Sequence, residues 1–234
     1  MKRARIRSTT LLFMVIGGAA TAHAQGGQGK TLPRTAPVPP AEQHQRVQQQ
    51  QQRATQYMQR LPQQIHAVQQ QTAQLQTQKR TAQYRVQQQY TAQLQQQQRL
   101  QTARNYSSDP YISTPQTYRY TVSGTTRQTN QYGVDVLRQA VNYGYQQGFR
   151  SGQADRQDHW ASNYQNSTAY RDANYGYNGN YVDQADYNYY FRQGVQRGYQ
   201  DGYNSRSQYG TSSNGTYSIL ASVLSSILGL QSIN

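Results

Sequence analysis

The longest hydrophobic pattern in the chain is a heptad repeat within residues 42–104, where glutamine is the most frequent residue. Apolar side chains recur every seven residues, and a second series precedes the first by three positions, which is the a/d pattern of a coiled coil. Glutamine is a fair helix former, so the segment is predicted to be helical. The predicted seam consists of Val47, Ala54, Met58, Leu61, Ile65, Val68, Leu75, Ala82 and Val86.

Pro62 lies inside this pattern, where a proline costs a helix about 3 kcal/mol. The heptad keeps its phase across Pro62, which predicts either one helix kinked near Leu61 or two helices meeting there, with Pro62 opening the second. The alternative for the whole segment is a disordered polar tract. Because the apolar stripe is thin, an ordered helix is expected to pair with itself or with a partner. The pattern therefore favours a coiled-coil stalk and a homo-oligomer.

Two rows of glycines at helical spacing follow in the C-terminal half of the chain. Glycines four residues apart lie in one row on a helix, and six of them cost about 6 kcal/mol in helix propensity. Close helix packing would offset that cost, which predicts that the two helices pack through their rows with Tyr and Phe rings beside the contact. A surface interaction face and irregular Gly-rich loops are the alternatives. The predicted packing positions are Gly144, Gly148, Gly152, Gly194, Gly198 and Gly202.

These rows, set among tyrosines, resemble the Tyr/Gly repeats of uncharacterised exported bacterial proteins. The resemblance covers roughly residues 132–210 and implies no known activity. Similar small-residue rows occur in membrane helices, but polar neighbours such as Gln146, Arg150 and Arg197 argue against lipid here.

The ends of the chain carry further signals. A basic stretch, an apolar run and the sequence Ala-His-Ala predict a signal peptide over residues 1–24, cleaved after Ala24. The signal peptide predicts export to the periplasm or the medium, or attachment to the outer membrane. The chain contains no cysteine, so disulfides are excluded. At the other end, residues 216–234 predict an amphipathic helix that covers the glycine helices or docks to a membrane or partner.

The formal net charge of +14 is unevenly distributed. Residues 43–108 contain eight Lys or Arg and no acidic residue. Arg80, Arg85 and Arg99 are predicted to face an anionic envelope polymer. Maintaining the solubility of a Gln-rich helix is the alternative. Nucleic acid is disfavoured as a partner by the predicted export.

No arrangement of residues typical of catalysis is present, so neither catalytic residues nor a metal site nor a cofactor is predicted. His159, four residues after Asp155, is interpreted as part of a surface contact. Residues 172–183 have calcium-loop spacing, but Tyr177 replaces the glycine of the sharp turn and Asp183 replaces the bidentate glutamate. A connecting loop is therefore favoured.

These patterns together predict a mainly α protein with long disordered linkers. The predicted segments are a signal peptide (1–24), a Gly/Pro-rich linker (25–41), a Gln-rich coiled coil (42–104), a linker with a small hairpin (105–131) and a Tyr/Gly-repeat helical domain (132–234). The favoured function is a non-enzymatic structural or adaptor protein of the cell envelope. A binding module for anionic polymer or glycan and a membrane-associated, non-spanning glycine-zipper assembly are the alternatives.

Overall fold

Two parallel helices, α3 and α5, form the centre of the fold. The structure, a computed structural model, describes residues 38–101, 105–213 and 216–233. Its helices are α1 (Pro40–Thr77), α2 (Thr81–Leu100), α3 (Gln131–Gln157), α4 (Thr168–Asp172), α5 (Gln184–Asn204) and α6 (Ala221–Leu228). Its strands are β1 (Tyr118–Val122), β2 (Thr125–Thr129), β3 (Gly210–Ser213), β4 (Thr216–Ile219) and β5 (Gln231–Ser232). The prediction of a mainly helical fold is confirmed, while the predicted signal peptide and most of the 25–41 linker lie outside the described residues.

The glycine rows lie at the contact between α3 and α5. At each of the six glycines, an added Cβ would come within 3.0 Å of a backbone carbonyl oxygen of the other helix. The carbonyl is that of Val195 for Gly148 and that of Tyr145 for Gly198. Backbone packs directly on backbone here, and each glycine Cα–H points towards a carbonyl oxygen, as in weak Cα–H···O bonds.

The contact between α3 and α5 is internally two-fold symmetric. Gly148 of α3 contacts Val195 of α5. Fifty residues after Gly148 is Gly198, and fifty residues before Val195 is Tyr145; these two residues form the equivalent contact. The pairs made by the outer glycines follow the same rule. The repeated sequence thus folds as two copies of one helix packed in parallel.

The Gln-rich segment is a helical hairpin folded against these central helices. One continuous hydrophobic core includes Tyr57 and Leu61 of α1, Leu94 of α2 and residues of both glycine helices, such as Tyr145 and Phe191. The prediction of a separate stalk is therefore wrong, because the apolar stripe is covered by the same chain. The described part of 42–104 and the C-terminal helices form one body.

The hairpin turns at residues 78–80, and of the two alternatives for Pro62, the one in which two helices meet there is wrong. α1 continues through Pro62, whose side chain is exposed. Lys79 has a φ of +58°, and the Arg80 amide donates to the Leu75 carbonyl at 3.0 Å. This 6→1 bond and the left-handed residue form a Schellman helix end. Burial of the α1 stripe on both sides of Pro62 offsets the local cost of the proline.

The segment predicted as a linker, 105–131, is ordered over its length. It contains two 3-10 turns, Tyr106–Ser108 and Pro110–Ser113, and the β1–β2 hairpin. Ser123 and Gly124 form the two-residue turn with φ values of +49° and +82°, the geometry of a type I′ turn. The hairpin occurs where the alternation of Tyr118, Tyr120 and Val122 predicts it.

The C-terminal segment is only partly helical, so the predicted 216–234 helix is too long. α6 spans eight residues, β4 pairs antiparallel with β3 before it, and β5 pairs with β1 after it. Leu228 is buried, and Val223, Leu224 and Ile227 are half-buried against the core, whereas Ala221 and Ser225 are exposed. The face that the sequence predicts as apolar thus covers the core, but over two turns of helix.

Candidate functional site

The α1–α2 hairpin presents an exposed surface of one charge sign. Residues 43–101 contain no Asp or Glu. Four basic side chains of this segment are exposed, and they define what we call the basic hairpin face: Arg60, Lys79, Arg85 and Arg99. Arg85 and Arg99 are separated by fourteen residues, about four helical turns, so they project from the same side of α2.

Arg80, predicted to be a surface residue, is buried instead. Its guanidinium forms an ion pair with Asp155 of α3, in which the two side chains are 8% and 4% exposed. The Cζ atom of Arg80 also lies 4.5 Å from the centre of the Trp160 ring. Arg80 is therefore a structural residue, and Arg85 and Arg99 remain as the exposed candidates.

The end of α3 attaches the hairpin turn to the core. Arg80, at the N-cap of α2, makes no side-chain capping bond. Asp158 caps the helix instead, since its carboxylate accepts hydrogen bonds from the backbone amides of Ala82 and Gln83, each at 2.9 Å. A carboxylate at this position also interacts favourably with the helix dipole. Asp155 and Asp158 together explain why the hairpin folds back.

We expect Arg80→Gln to lower the free energy of unfolding by about 3–5 kcal/mol, because it leaves the buried Asp155 carboxylate without its cation. Thermal unfolding of the protein measures the effect. Arg85→Gln, at an exposed site on the same hairpin, is the matched control and should change the stability by no more than about 0.5 kcal/mol. Equal melting temperatures for the two variants would contradict a structural role for Arg80.

The predicted coiled-coil seam is divided between core and surface. Leu61, Ile65, Val68 and Leu75 are buried within the chain, and Met58 is 37% exposed. The remaining seam residues are half-buried: Val47, Ala54, Ala82 and Val86. The buried positions contact the protein's own core, so they are not free to form an intermolecular coiled coil, and Met58 does not belong to the buried seam.

Buried carboxylates pair with tyrosine hydroxyls and so connect the elements of the core. Tyr199 of α5 donates to Asp155 of α3 at 2.6 Å, and Tyr145 of α3 donates to Asp201 of α5 at 2.8 Å. Burial raises the pKa of the Asp155 carboxyl, while the bond from Tyr199 and the charge of Arg80 oppose this rise. Burial and the neighbouring Asp155 raise the pKa of Tyr199. These groups are bonded to one another inside the core, which suits structural rather than catalytic use.

The 172–183 segment is a connecting loop whose polar side chains bind the protein itself. Asp172 accepts from Tyr90 at 2.6 Å, and Asp183 accepts from Arg53 at 2.8 Å. Among the residues that the structure describes, no group of three or more His, Cys, Asp or Glu side chains could hold a metal ion. Asp155 engages Arg80 and Tyr199, whereas His159 is exposed after the end of α3. The expected Asp155–His159 surface contact is therefore wrong.

Sequence reasoning missed the Arg80–Asp155 pair, the capping by Asp158 and the position of Trp160 beside Arg80. The sequence signal that could have indicated these contacts is the clustering of Asp155, Asp158 and Trp160 at the end of a predicted helix. It did not identify their partners, which lie about 75 residues earlier in the chain.

Fold and surface together define a mainly helical protein with a glycine-packed centre and a basic helical hairpin. Comparison of the chain with the models of known families, with curated proteins and with solved structures yields no match. In the described ranges, no helix combines the length and the apolar character needed to cross a membrane.

Proposed function

We propose that this protein is an exported, non-enzymatic adaptor of the bacterial cell envelope that binds an anionic polymer through the basic hairpin face. The observation that carries the proposal is the exposure of Arg60, Lys79, Arg85 and Arg99 on a segment with no acidic residue between positions 43 and 101. Binding of this kind is electrostatic, and it needs a rigid surface more than a deep pocket.

The rigid scaffold supports the proposal. The hairpin is attached at its turn through Asp155 and Asp158, and along its length through bonds made by its glutamines. Gln97 donates to the Tyr57 hydroxyl and the Tyr177 carbonyl, each at 2.6 Å, and accepts from the Gly176 amide at 2.7 Å. A hairpin that is already attached to the core loses less conformational entropy on binding than a free helix would.

In this proposal the functional element of residues 42–104 is the basic hairpin face and not a coiled-coil stalk. The seam and the glycine rows are occupied within the chain, so neither is offered as an assembly face, and a glycine-zipper assembly in a membrane is not part of the proposal. Export is supported by the signal-peptide pattern of residues 1–24.

We expect the mature protein to bind polygalacturonate, used as a probe polyanion, with an affinity that falls steeply as salt increases, because bound counterions are released on association. Arg85→Gln/Arg99→Gln should weaken binding and reduce the slope of log K against log salt by about two. Titration calorimetry at several salt concentrations measures both quantities.

Arg138→Gln is the matched control for this experiment. Arg138 is exposed on α3, where it forms an ion pair with Asp135 at 3.2 Å. Its replacement should leave the affinity unchanged. Binding that does not respond to salt, or that the double variant leaves intact, would rule out the hairpin face as the binding surface.

A further inference from the structure

A polar cavity lies beside the turn of the hairpin. It has a volume of about 220 Å³ and is enclosed by the end of α1, the buried Arg80, the segment that follows α3 and the short helix α4. Ligand pockets for drug-sized molecules are typically about 300–1,000 Å³. The cavity therefore suits a smaller group, about the size of one monosaccharide.

One wall of the cavity is Trp160, the only tryptophan of the chain. The residue is 39% exposed, although burying an indole is strongly favourable. The backbone holds it in place, since His159 has a φ of +53° and the Trp160 amide donates to the Asp155 carbonyl at 2.8 Å. Tyr203 donates to the Trp160 carbonyl at 2.9 Å. The backbone of Trp160 is thus anchored, and the part of its ring that Arg80 does not cover is available to a ligand.

The charge of the cavity is positive. Its lining contains no carboxylate, and because Arg80 is paired with Asp155, the charge is supplied by Arg171. Arg171 is exposed and oriented by its Nη2, which donates to Asn166 at 2.9 Å.

The remaining polar lining consists of side-chain amides. Gln74 and Gln78 are exposed at the cavity, and Gln71 accepts from Thr168 at 3.3 Å. An amide both donates and accepts, so it matches the hydroxyls around a sugar ring. An aromatic ring matches the apolar C–H face of that sugar. An arginine matches a carboxylate, which it binds bidentately.

We infer that this cavity binds one sugar residue that carries a carboxylate, as a unit of an acidic polysaccharide. Trp160 packs on the sugar ring, Arg171 binds the carboxylate, and the glutamine amides bind the hydroxyls. The inference rests on the proposed function, because it names the chemical class of the polymer that the basic hairpin face binds. Lys79 of that face lies in sequence between Gln78 and Arg80, which line the cavity. One polysaccharide chain can therefore reach both the cavity and the face.

The test uses the mature protein and the trisaccharide of galacturonic acid as probe. Because Trp160 is the only tryptophan, its fluorescence reports on this cavity alone. We expect a saturable fluorescence change with the trisaccharide at concentrations up to about 1 mM. Maltotriose, a neutral trisaccharide, should bind at least about tenfold more weakly because it lacks the charge-assisted bond.

Arg171→Gln should weaken trisaccharide binding by about tenfold or more, for the same reason. Arg138→Gln is the matched control and should leave trisaccharide binding unchanged, since Arg138 is exposed on α3 and does not line the cavity. Unchanged melting temperatures show that both variants fold. Calorimetry with Trp160→Phe, which cannot report by tryptophan fluorescence, should show at least about threefold weaker binding from the smaller ring.

Three results would overturn the inference: no fluorescence change with the trisaccharide, equal binding by wild type and Arg171→Gln, or an equal change with inorganic phosphate or a single-stranded oligonucleotide. The two proposals can fail separately. Polygalacturonate binding that depends on Arg85 and Arg99, without trisaccharide binding at Trp160, removes the cavity alone. Trisaccharide binding at Trp160 with polymer binding that ignores the hairpin arginines removes the basic hairpin face alone.

Discussion

Replacing Gly148 with leucine is expected to lower the free energy of unfolding by about 3 kcal/mol or more, the upper range for overpacking a closed contact. The new Cβ would collide with the backbone carbonyl of Val195, which cannot rotate away as a side chain can. Helix propensity predicts the opposite sign, a gain of most of 1 kcal/mol. A loss of this size corresponds to a decrease in melting temperature of roughly 6–12 °C for a chain of this length.

The internal symmetry supplies a second test of the same contact. Gly198→Leu meets the equivalent carbonyl, that of Tyr145, and should cost about as much as Gly148→Leu. Gly148→Ala and Gly198→Ala should also lower the stability, by about 1–3 kcal/mol. The propensity effect alone is measured with Gln139→Gly at an exposed site of α3, which should cost about 1 kcal/mol. Stabilisation by alanine at either glycine would show that the rows are not closely packed.

Alkaline unfolding of the protein should be steep and should begin only a little above pH 10. Eight buried tyrosines have their pKa raised, chiefly by burial. They are Tyr57, Tyr90, Tyr120, Tyr145, Tyr177, Tyr187, Tyr190 and Tyr199. A raised pKa in the folded state means stability that is complete below the unfolded value of about 10 and is lost as pH rises above it.

The expected magnitude follows from proton linkage. Each tyrosine that stays protonated in the folded state and ionises in the unfolded state removes about 1.4 kcal/mol per pH unit. Half of the set would remove about 5 kcal/mol over one pH unit, comparable to the whole stability of a marginal domain. Tyrosinate absorbance and circular dichroism, followed together against pH, should therefore change in one cooperative step for the buried rings.

Two variants test the cause of this transition. Tyr187→Phe removes one fully buried hydroxyl and should make the alkaline loss of stability shallower by about 1.4 kcal/mol per pH unit. Tyr111→Phe, at an exposed ring, is the matched control. If tyrosinate absorbance reached its full value while the circular dichroism stayed native, the hydroxyls would be accessible in the folded protein and the explanation would be wrong.

Local patterns in the sequence account for most helices and for the β1–β2 hairpin. Glycine spacing and the stripes beside it identify α3 and α5, because side chains four residues apart share one face of any helix. The Ser-Gly pair between alternating side chains identifies the hairpin turn, because that turn requires positive φ values. The 216–219 segment shows the limit of such patterns, since its apolar residues fit a helix equally well but pair as a strand with β3.

The candidate site was less predictable than the fold. Exposed Arg85 and Arg99 follow from charge distribution along the sequence alone. Trp160 and the cavity beside it do not, because the cavity walls come from α1, the hairpin turn, the segment after α3 and α4. Side chains so far apart in sequence carry no shared spacing that could reveal a common site.

The sequence by itself determined most of the helical segments, their apolar faces and where the basic residues lie along the chain, because these depend on neighbours within one or two turns. Only the tertiary structure decided what covers each apolar face. The heptad stripe of α1 would serve equally in a coiled coil, but here it lies on the protein's own core. Arg80 is buried rather than exposed because its counter-charge, Asp155, comes from another helix that only the folded chain brings into contact.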